Sequence, residues 1–144
     1  MGKKRVITKE GGEATAAGSK KTGGVKAGHK VSSGIAYIQA TYNNTMITIS
    51  NDRGNVIAWS SAGSLGFSGA KKATPYAAAR VAEAAVDKAR KYGLQQVAVR
   101  VSGVGAGRDS AIRSLANQGL DIISIKDTTP LPHNGPRAKK VRRV

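Results

Sequence analysis

The sequence contains no cysteine, which excludes disulfide bonds and cysteine-ligated zinc, and with them the small disulfide-stapled folds of secreted proteins. No apolar run approaches the roughly 18 residues that a membrane helix needs. The N-terminus is charged and lacks the apolar stretch of a signal peptide. Acidic residues are scarce, with 8 Asp and Glu in 144 residues. We therefore expect one domain without disulfides and without a membrane partner.

Positive charge dominates the composition. The sequence has 24 Lys and Arg, a formal net charge of +16 and a pI of about 10.6. The charge is concentrated toward the two ends, and the middle of the chain is more apolar. A balance of this kind favours a polyanionic partner, for which nucleic acid is the leading candidate.

The C-terminal residues 128–144 read TTPLPHNGPRAKKVRRV. Their prolines remove backbone donors and favour an extended chain. Five basic side chains and no acid then follow in the last eight positions: Arg137, Lys139, Lys140, Arg142 and Arg143. Such a segment cannot bury a core, and its like charges repel each other. We predict an extended tail that becomes ordered along nucleic acid.

The rest of the chain divides into two parts. Residues 1–33 are rich in Gly, Ala, Thr and Lys without a sustained hydrophobic period, which is typical of a flexible basic arm. Residues 34–127 contain the periodic segments and are predicted to form an α/β globular domain.

The globular part begins with three β-branched and aromatic runs, at residues 35–41, 45–50 and 55–60. The connections between them are short enough to require antiparallel neighbours, so we predict a three-stranded meander. Both faces of these runs carry apolar residues. We therefore expect the sheet to be covered on both sides.

Alternating helix and strand signals follow the meander. Thr74 and Pro75 supply an N-cap and a first-turn proline, and Gly93 supplies a stop, for a first helix. A strand, a second helix and a last strand come next, and their spacing implies a right-handed parallel crossover. The predicted product is a mixed five-stranded sheet flanked by helices, with the later elements at residues 76–92, 96–101, 109–117 and 120–127.

The turn at residues 103–110 reads GVGAGRDS and precedes the second helix. Its glycines would let backbone N–H groups approach a phosphate at a helix N-terminus, with Arg108 and Arg113 adding charge-assisted contacts. The dinucleotide fingerprint and the P-loop pattern are both incomplete here. A nucleic-acid phosphate site, a ligand-free tight turn and a free-nucleotide site stay open at this point.

The loop at residues 62–73 offers an aromatic ring and two lysines between glycines. Phe67 could stack on a base while Lys71 and Lys72 pair with phosphates, although a solvated surface loop has the same composition. Stacking is also conceivable for Tyr37, Trp59 and Tyr76. Their apolar neighbours favour positions in the core instead.

The sequence contains few residues of the types that form catalytic sites. The two histidines, His29 and His133, both lie in basic segments, so a catalytic triad or a metal cluster has few components. A ribonuclease-H-like nuclease would need clustered carboxylates for two metal ions, and the first predicted strand contains no acid. We expect no enzyme activity, no metal and no cofactor. A DNA-compacting protein and, less favoured, a nuclease remain alternatives.

Five motifs in order resemble the small-subunit ribosomal protein eleven family, in its bacterial or organellar branch. The resemblance extends from about Lys30 to Val144. The motifs are Tyr42-Asn43-Asn44-Thr45, Asp52-Arg53-Gly54-Asn55, Gly66-Phe67 with Lys71-Lys72-Ala73-Thr74-Pro75, the turn GVGAGRDS, and DTTPLPHNG at residues 127–135.

The resemblance implies a ribonuclease-H-like fold without catalysis, in a structural constituent of the small ribosomal subunit. It implies binding to small-subunit ribosomal RNA on the platform, where the protein bridges separate RNA segments near the messenger exit and Shine-Dalgarno region. Its implied neighbours are small-subunit proteins seven and eighteen, with initiation factor three nearby. The implied location is the ribosome, in the cytoplasm or in an organelle.

The resemblance also implies which residues contact RNA. Carried onto this sequence, the matching positions are Asn43, Asn44, Gly66, Phe67, Gly69, Lys71, Lys72, Arg108, Ser110, Arg113, His133, Asn134, Arg137, Lys139, Lys140, Arg142 and Arg143.

Overall fold

Five runs of alternating apolar and polar residues form the strands of one sheet. The computed structural model describes residues 30–142 of the chain. The sheet order is β3-β2-β1-β4-β5, with β1 antiparallel to β2, β2 antiparallel to β3, and β4 parallel to both β1 and β5. The mixed sheet was therefore predicted correctly. Its strands are β1 (Ser33–Ala40), β2 (Thr45–Asn51), β3 (Val56–Ser61), β4 (Gln96–Ser102) and β5 (Asp121–Asp127).

Two α-helices accompany the sheet in the part of the chain that the structure describes: α1 (Pro75–Arg90) follows β3, and α2 (Gly107–Asn117) follows β4. Helix α1 begins as predicted, because the Thr74 hydroxyl oxygen accepts a hydrogen bond from the Ala77 N–H at 3.3 Å. The long loop between β3 and α1 contains two short 3₁₀ turns, Gly63–Leu65 and Gly69–Ala73. The predicted element boundaries differ from the observed ones by at most two residues.

The hydrophobic core lies between the two helices and a single face of the sheet. Helix α1 packs over β2 and β3, α2 packs over β1, and the helices contact each other. The core-facing side of α1 is mostly alanine, which lets its backbone approach the sheet closely. The largest fully buried side chains are Ile38, Ile47, Ile49 and Leu115. Burial of each of these contributes about 1.5–3 kcal/mol.

Within residues 30–142 no helix packs on the opposite face of the sheet, which is open, so the expectation of a sheet covered on both sides is wrong. Trp59 is 53% exposed and Tyr37 37% exposed, and both lie on this face. Tyr76, on α1, is 67% exposed. The interpretation of these three aromatic residues as core is therefore wrong as well.

The direction of the chain explains why one face is left open. Strands β3, β4 and β5 run parallel, and the steps from β3 to β4 and from β4 to β5 move across the sheet in the same direction. Right-handed crossovers that move in the same direction place their helices on the same face. Helices α1 and α2 form these two crossovers, so in the described part of the chain no helix is left for the other face.

Parts of the predicted termini lie outside the described residues. These are residues 1–29, which contain most of the predicted basic arm and His29, and residues 143–144, which contain Arg143. Within residues 30–142, neither helix has the length and apolarity required to cross a membrane.

Candidate nucleic-acid interface

The predicted RNA-contact segments converge at one end of the sheet. Strands β1, β3, β4 and β5 all run in the same direction, so their carboxyl ends meet at one edge. The β1–β2 hairpin, the loop after β3, the turn after β4 and the tail after β5 all leave from this edge. We call it the carboxyl edge.

Close backbone packing explains the glycines in the turn after β4. A Cβ on Gly103 would lie 2.1 Å from the Ala40 carbonyl oxygen, and one on Gly105 would lie 2.3 Å from that of Thr41. The Gly105 N–H donates to the Ala40 carbonyl at 2.9 Å, and the Gly103 N–H donates to the Thr129 hydroxyl oxygen at 3.2 Å. These two amides are therefore already engaged within the protein, which favours the tight-turn interpretation at both positions.

Arg108 connects the turn to the start of the tail. Its guanidinium group donates to the Gly103 carbonyl, to the Asp127 carboxylate and, at 3.3 Å, to the Thr129 hydroxyl. Asp127 also accepts from the Thr129 hydroxyl at 2.6 Å and from the Thr129 N–H at 2.9 Å. We call Arg108, Asp127 and Thr129 the tail clamp. Arg108 was predicted as an RNA contact. In the structure its half-buried side chain forms hydrogen bonds within the protein.

The clamp changes the titration of its carboxylate. The Thr129 hydroxyl and the Arg108 guanidinium lower the pKa of Asp127 from 3.8 to about 2, since both stabilise the ionised carboxylate. Asp127 therefore stays charged over the physiological range. Its ionised carboxylate therefore remains available as an acceptor for Arg108 and Thr129.

Two further predicted residues lie on α2. The half-buried Ser110 hydroxyl donates to the Gly107 carbonyl at 3.3 Å, so it is bonded back to the first turn of the helix. Arg113 is exposed one turn further along. Within residues 30–142 the salt bridges are Arg80–Glu83 and Arg108–Asp127, so Arg113 has no carboxylate partner there.

The β1–β2 hairpin is stabilised by a threonine. The Thr41 hydroxyl oxygen accepts from the Asn44 N–H at 3.1 Å and from the Asn43 N–H at 3.4 Å. Asn43 is exposed, whereas Asn44 is half-buried. Beside them Tyr42 is 76% exposed, a prominent aromatic group that the sequence interpretation missed although it belongs to the Tyr-Asn-Asn-Thr motif.

The residues of the loop between β3 and α1 differ in their exposure to solvent. Phe67 is half-buried and packs edge-to-face against Tyr76, with ring centroids 6.0 Å apart. Gly66 and Gly69 have φ angles of 87° and 57°, a region that favours glycine. Lys71 is exposed, whereas Lys72, in the same 3₁₀ turn, is half-buried. Tyr76 is thus the more accessible ring of the aromatic pair.

The tail from residue 130 to residue 142 has no regular secondary structure and is almost entirely exposed. Asn134 adopts a φ of 68° in the turn before Gly135. The predicted contact residues within this stretch are all exposed: His133, Asn134, Arg137, Lys139, Lys140 and Arg142. None of their cations forms a salt bridge within the described part of the chain. The carboxyl edge therefore presents accessible hydrogen-bonding groups and uncompensated positive charge.

Comparison with known proteins identifies the family. The model of the family described as ribosomal protein S11 matches residues 34–143. The chain belongs to the ribosomal protein S11 family.

Similar proteins named small ribosomal subunit protein uS11 occur in diverse bacteria. The S11 protein of Solibacter usitatus (strain Ellin6076) is 54% identical over 128 residues, which cover 89% of this chain and 95% of the relative. That of Rippkaea orientalis (strain PCC 8801 / RF-1) is 54% identical over 126 residues, or 88% of this chain and 97% of the relative. That of Treponema pallidum (strain Nichols) is 58% identical over 111 residues, or 77% and 88%.

Membership confirms the predicted resemblance. The S11 family is a structural, non-enzymatic family of the small ribosomal subunit, which confirms that the chain is a ribosomal protein and not an enzyme. An S11 protein is part of the ribosome and associates with its RNA and with other ribosomal proteins. Among residues 30–142 no three His, Asp or Glu side chains are grouped to hold a metal ion.

Proposed function

We propose that this S11-family protein bridges separate segments of small-subunit ribosomal RNA on the platform of the subunit, near the messenger exit and Shine-Dalgarno region. The observation that carries the proposal is the convergence of three connecting segments and the basic tail at the carboxyl edge. Four segments that leave the same edge of the sheet suit an RNA site assembled from several RNA segments.

The proposed RNA contacts come from four places on this edge. The hairpin supplies Asn43 and Asn44, and α2 supplies Ser110 and Arg113. The loop supplies Gly66, Phe67, Gly69, Lys71 and Lys72. The tail supplies His133, Asn134, Arg137, Lys139, Lys140, Arg142 and Arg143. Most of these groups are exposed donors or cations, suited to phosphate and sugar, so shape rather than base edges would select the site.

Two of the predicted residues act mainly by positioning others. Arg108 fixes the start of the tail through the clamp, and the half-buried Phe67 supports Tyr76. Their replacement would displace neighbouring groups as well as remove their own interactions with RNA.

The proposal includes the finer architecture. The order β3-β2-β1-β4-β5, with an antiparallel first half and parallel crossovers, supports a ribonuclease-H-like fold. The proposed divisions are a basic arm at residues 1–33, the globular domain at residues 34–127 and the RNA-binding tail at residues 128–144. The basic composition of both ends supports the assignment of terminal extensions.

The proposed partners beyond RNA are small-subunit proteins seven and eighteen, with initiation factor three close by. They are the components expected around the platform in the subunit of a cytoplasmic or organellar ribosome. The exposed aromatic groups Tyr42 and Tyr76 at the carboxyl edge are suited to RNA or protein contact.

A comparison of two binding affinities tests the proposed function. The full chain is titrated with a transcript of the small-subunit ribosomal RNA platform region and, separately, with duplex DNA of equal length at the same salt concentration. We expect clear preference for the transcript. Equal affinity for both would instead indicate a basic architectural protein, because charge alone does not distinguish the two polyanions.

A further inference from the structure

The open face of the sheet carries a transverse row of aromatic and basic side chains. Residues paired across neighbouring strands point to the same face. One such set crosses all five strands and consists of Trp59, Thr48, Tyr37, Arg100 and Lys126. We call it the open-face row. It contains no acidic residue, and the next row, with Gln39 and Met46 at its centre, contains none either.

Each aromatic ring in the row has a cation beside it. The Arg100 guanidinium lies 5.6 Å from the ring centroid of Tyr37. The Lys88 ammonium, which extends from α1, lies 5.6 Å from the Trp59 ring and donates to the Trp59 carbonyl at 3.0 Å. The side chains of Arg100, Lys88 and Lys126 are exposed, and none forms a salt bridge within residues 30–142.

The spacing of the two rings suits unpaired nucleotides. Tyr37 and Trp59 lie on strands separated by one strand, so their backbones are about 10 Å apart. This exceeds the separation of stacked bases but fits bases spread apart on a sheet surface. Aromatic rings on an exposed sheet stack on bases in this manner, and neighbouring cations neutralise the phosphates.

We infer that the open-face row is a second RNA-contact surface, which binds unpaired ribosomal RNA with bases on Trp59 and Tyr37 and phosphates near Arg100, Lys88 and Lys126. The inference rests on the proposed function, since the partner is the same RNA. It adds a contact face distinct from the carboxyl edge. The charges of Arg100 and Lys126 in the row and of the adjacent Lys88 favour this occupant, because a protein partner would have to desolvate or pair all three cations.

Leucine and phenylalanine variants of the full chain test the stacking role. Tyr37→Leu with Trp59→Leu keeps apolar side chains but removes the rings, whereas Tyr37→Phe with Trp59→Phe keeps the rings. Because both positions are exposed, both variants should fold, which circular dichroism checks. The probe is a labelled single-stranded RNA of about 12 nucleotides, within the range of known single-strand sites.

We expect the leucine variant to bind the probe at least about fivefold more weakly per ring, and the phenylalanine variant to retain most of the affinity. Stacking does not release counterions, so the salt dependence of binding should be unchanged in the leucine variant. Arg100→Gln should weaken binding and reduce the salt dependence, in contrast to Lys30→Gln, which changes an exposed cation before β1 at the other end of the sheet.

Other outcomes separate this inference from the proposed function. Unchanged probe affinity in the leucine variant, with ribosomal RNA binding still dependent on the tail, would overturn the inference alone. Unchanged RNA affinity but poorer incorporation into subunits would identify a protein partner and also overturn it. If the wild type did not prefer ribosomal RNA to duplex DNA but the leucine variant still bound the probe more weakly, the row would stand and the proposed function would fall.

Discussion

Arg108, in the first turn of α2, donates a hydrogen bond to the carboxylate of Asp127, the last residue of β5. Helix α2 and strand β5 follow each other in the chain, and the loop between them lies at the end of the sheet opposite the carboxyl edge. The Arg108–Asp127 pair joins the same two elements at the carboxyl edge. Thr129 completes the arrangement by bonding to both side chains. The direction of the tail is therefore set by the folded domain.

The clamp should make stability depend on acid pH. The pKa of Asp127 is about 2 in the folded chain and 3.8 at its ordinary value. The stabilisation is therefore present above pH 3.8 and is lost as the pH falls toward 2. Urea denaturation between about pH 5 and pH 2 should show a smaller acid-induced loss in Asp127→Asn than in the wild type. Parallel pH profiles for the two proteins would contradict the clamp.

Removal of the Arg108 side chain should loosen the tail without unfolding the domain. In Arg108→Gln the Thr128 and Thr129 amides should exchange hydrogen faster, because the clamp no longer holds this segment against β4. Arg113→Gln, on the same helix but exposed, is the matched control and should leave exchange unchanged. Equal protection of residues 128–129 in wild type and Arg108→Gln would show that the clamp does not position the tail.

The turn after β4 should tolerate no side chain at Gly105. In Gly105→Ala the new Cβ would meet the Thr41 carbonyl oxygen at 2.3 Å, so the backbone must shift. We expect the free energy of unfolding to fall by about 1–3 kcal/mol. Gly63→Ala is the control, since its nearest neighbour is 4.0 Å away and the change should be close to neutral. Chemical denaturation measures both.

The N-cap of α1 should stabilise the lysine-bearing loop as well as the helix. The Thr74 hydroxyl accepts from the Ala77 N–H and donates to the Lys71 carbonyl at 2.8 Å. Thr74→Ala should lower the free energy of unfolding by about 1 kcal/mol, and Thr74→Ser should retain most of it. Equal destabilisation by alanine and serine would indicate that the methyl group, not the hydroxyl, matters.

The tail should contribute most of the salt dependence of RNA binding. Neutralising Lys139, Lys140 and Arg142 with glutamine should reduce the slope of log affinity against log salt by about 0.7–0.9 for each phosphate that the tail no longer neutralises. The matched control changes the same number of charges at the opposite end of the sheet, in Lys30→Gln, Arg53→Gln and Lys91→Gln. Equal slopes for the two triple variants would mean that total charge, not the tail, determines binding.

Local sequence signals predicted the strands, the helices and the mixed character of the sheet well. The alternation of Ala36 and Ile38 with Tyr37 identifies a strand, and Thr74-Pro75 identifies the start of a helix. The same signals do not show which face is covered, because that depends on the direction of two crossovers across the sheet. Tyr37 and Trp59 were consequently assigned to the core although they are exposed.

The interactions of the candidate-site residues were harder to predict from the sequence. Gly103 and Gly105 match a phosphate-binding turn, yet their close neighbours Ala40 and Thr41 are remote in the sequence and could not be identified before the strands were paired. The partner of Arg108 was hidden for a similar reason, since Asp127 lies at the end of the strand that follows its helix. Tail exposure, in contrast, followed directly from composition.

The tail leaves the domain at a fixed point, which affects both the affinity for RNA and the rate of dissociation. Thr128 donates its N–H to the Val101 carbonyl at 2.8 Å, and Thr129 is held by the clamp, so the basic segment is tethered at a known point. Once the domain has docked, the tether confines the cationic residues to a small volume beside the RNA. Short tethers of this kind produce effective concentrations in the millimolar range. Binding of the tail to RNA is then an intramolecular step. The tail can therefore have a low affinity for RNA by itself, and the complex still dissociates slowly.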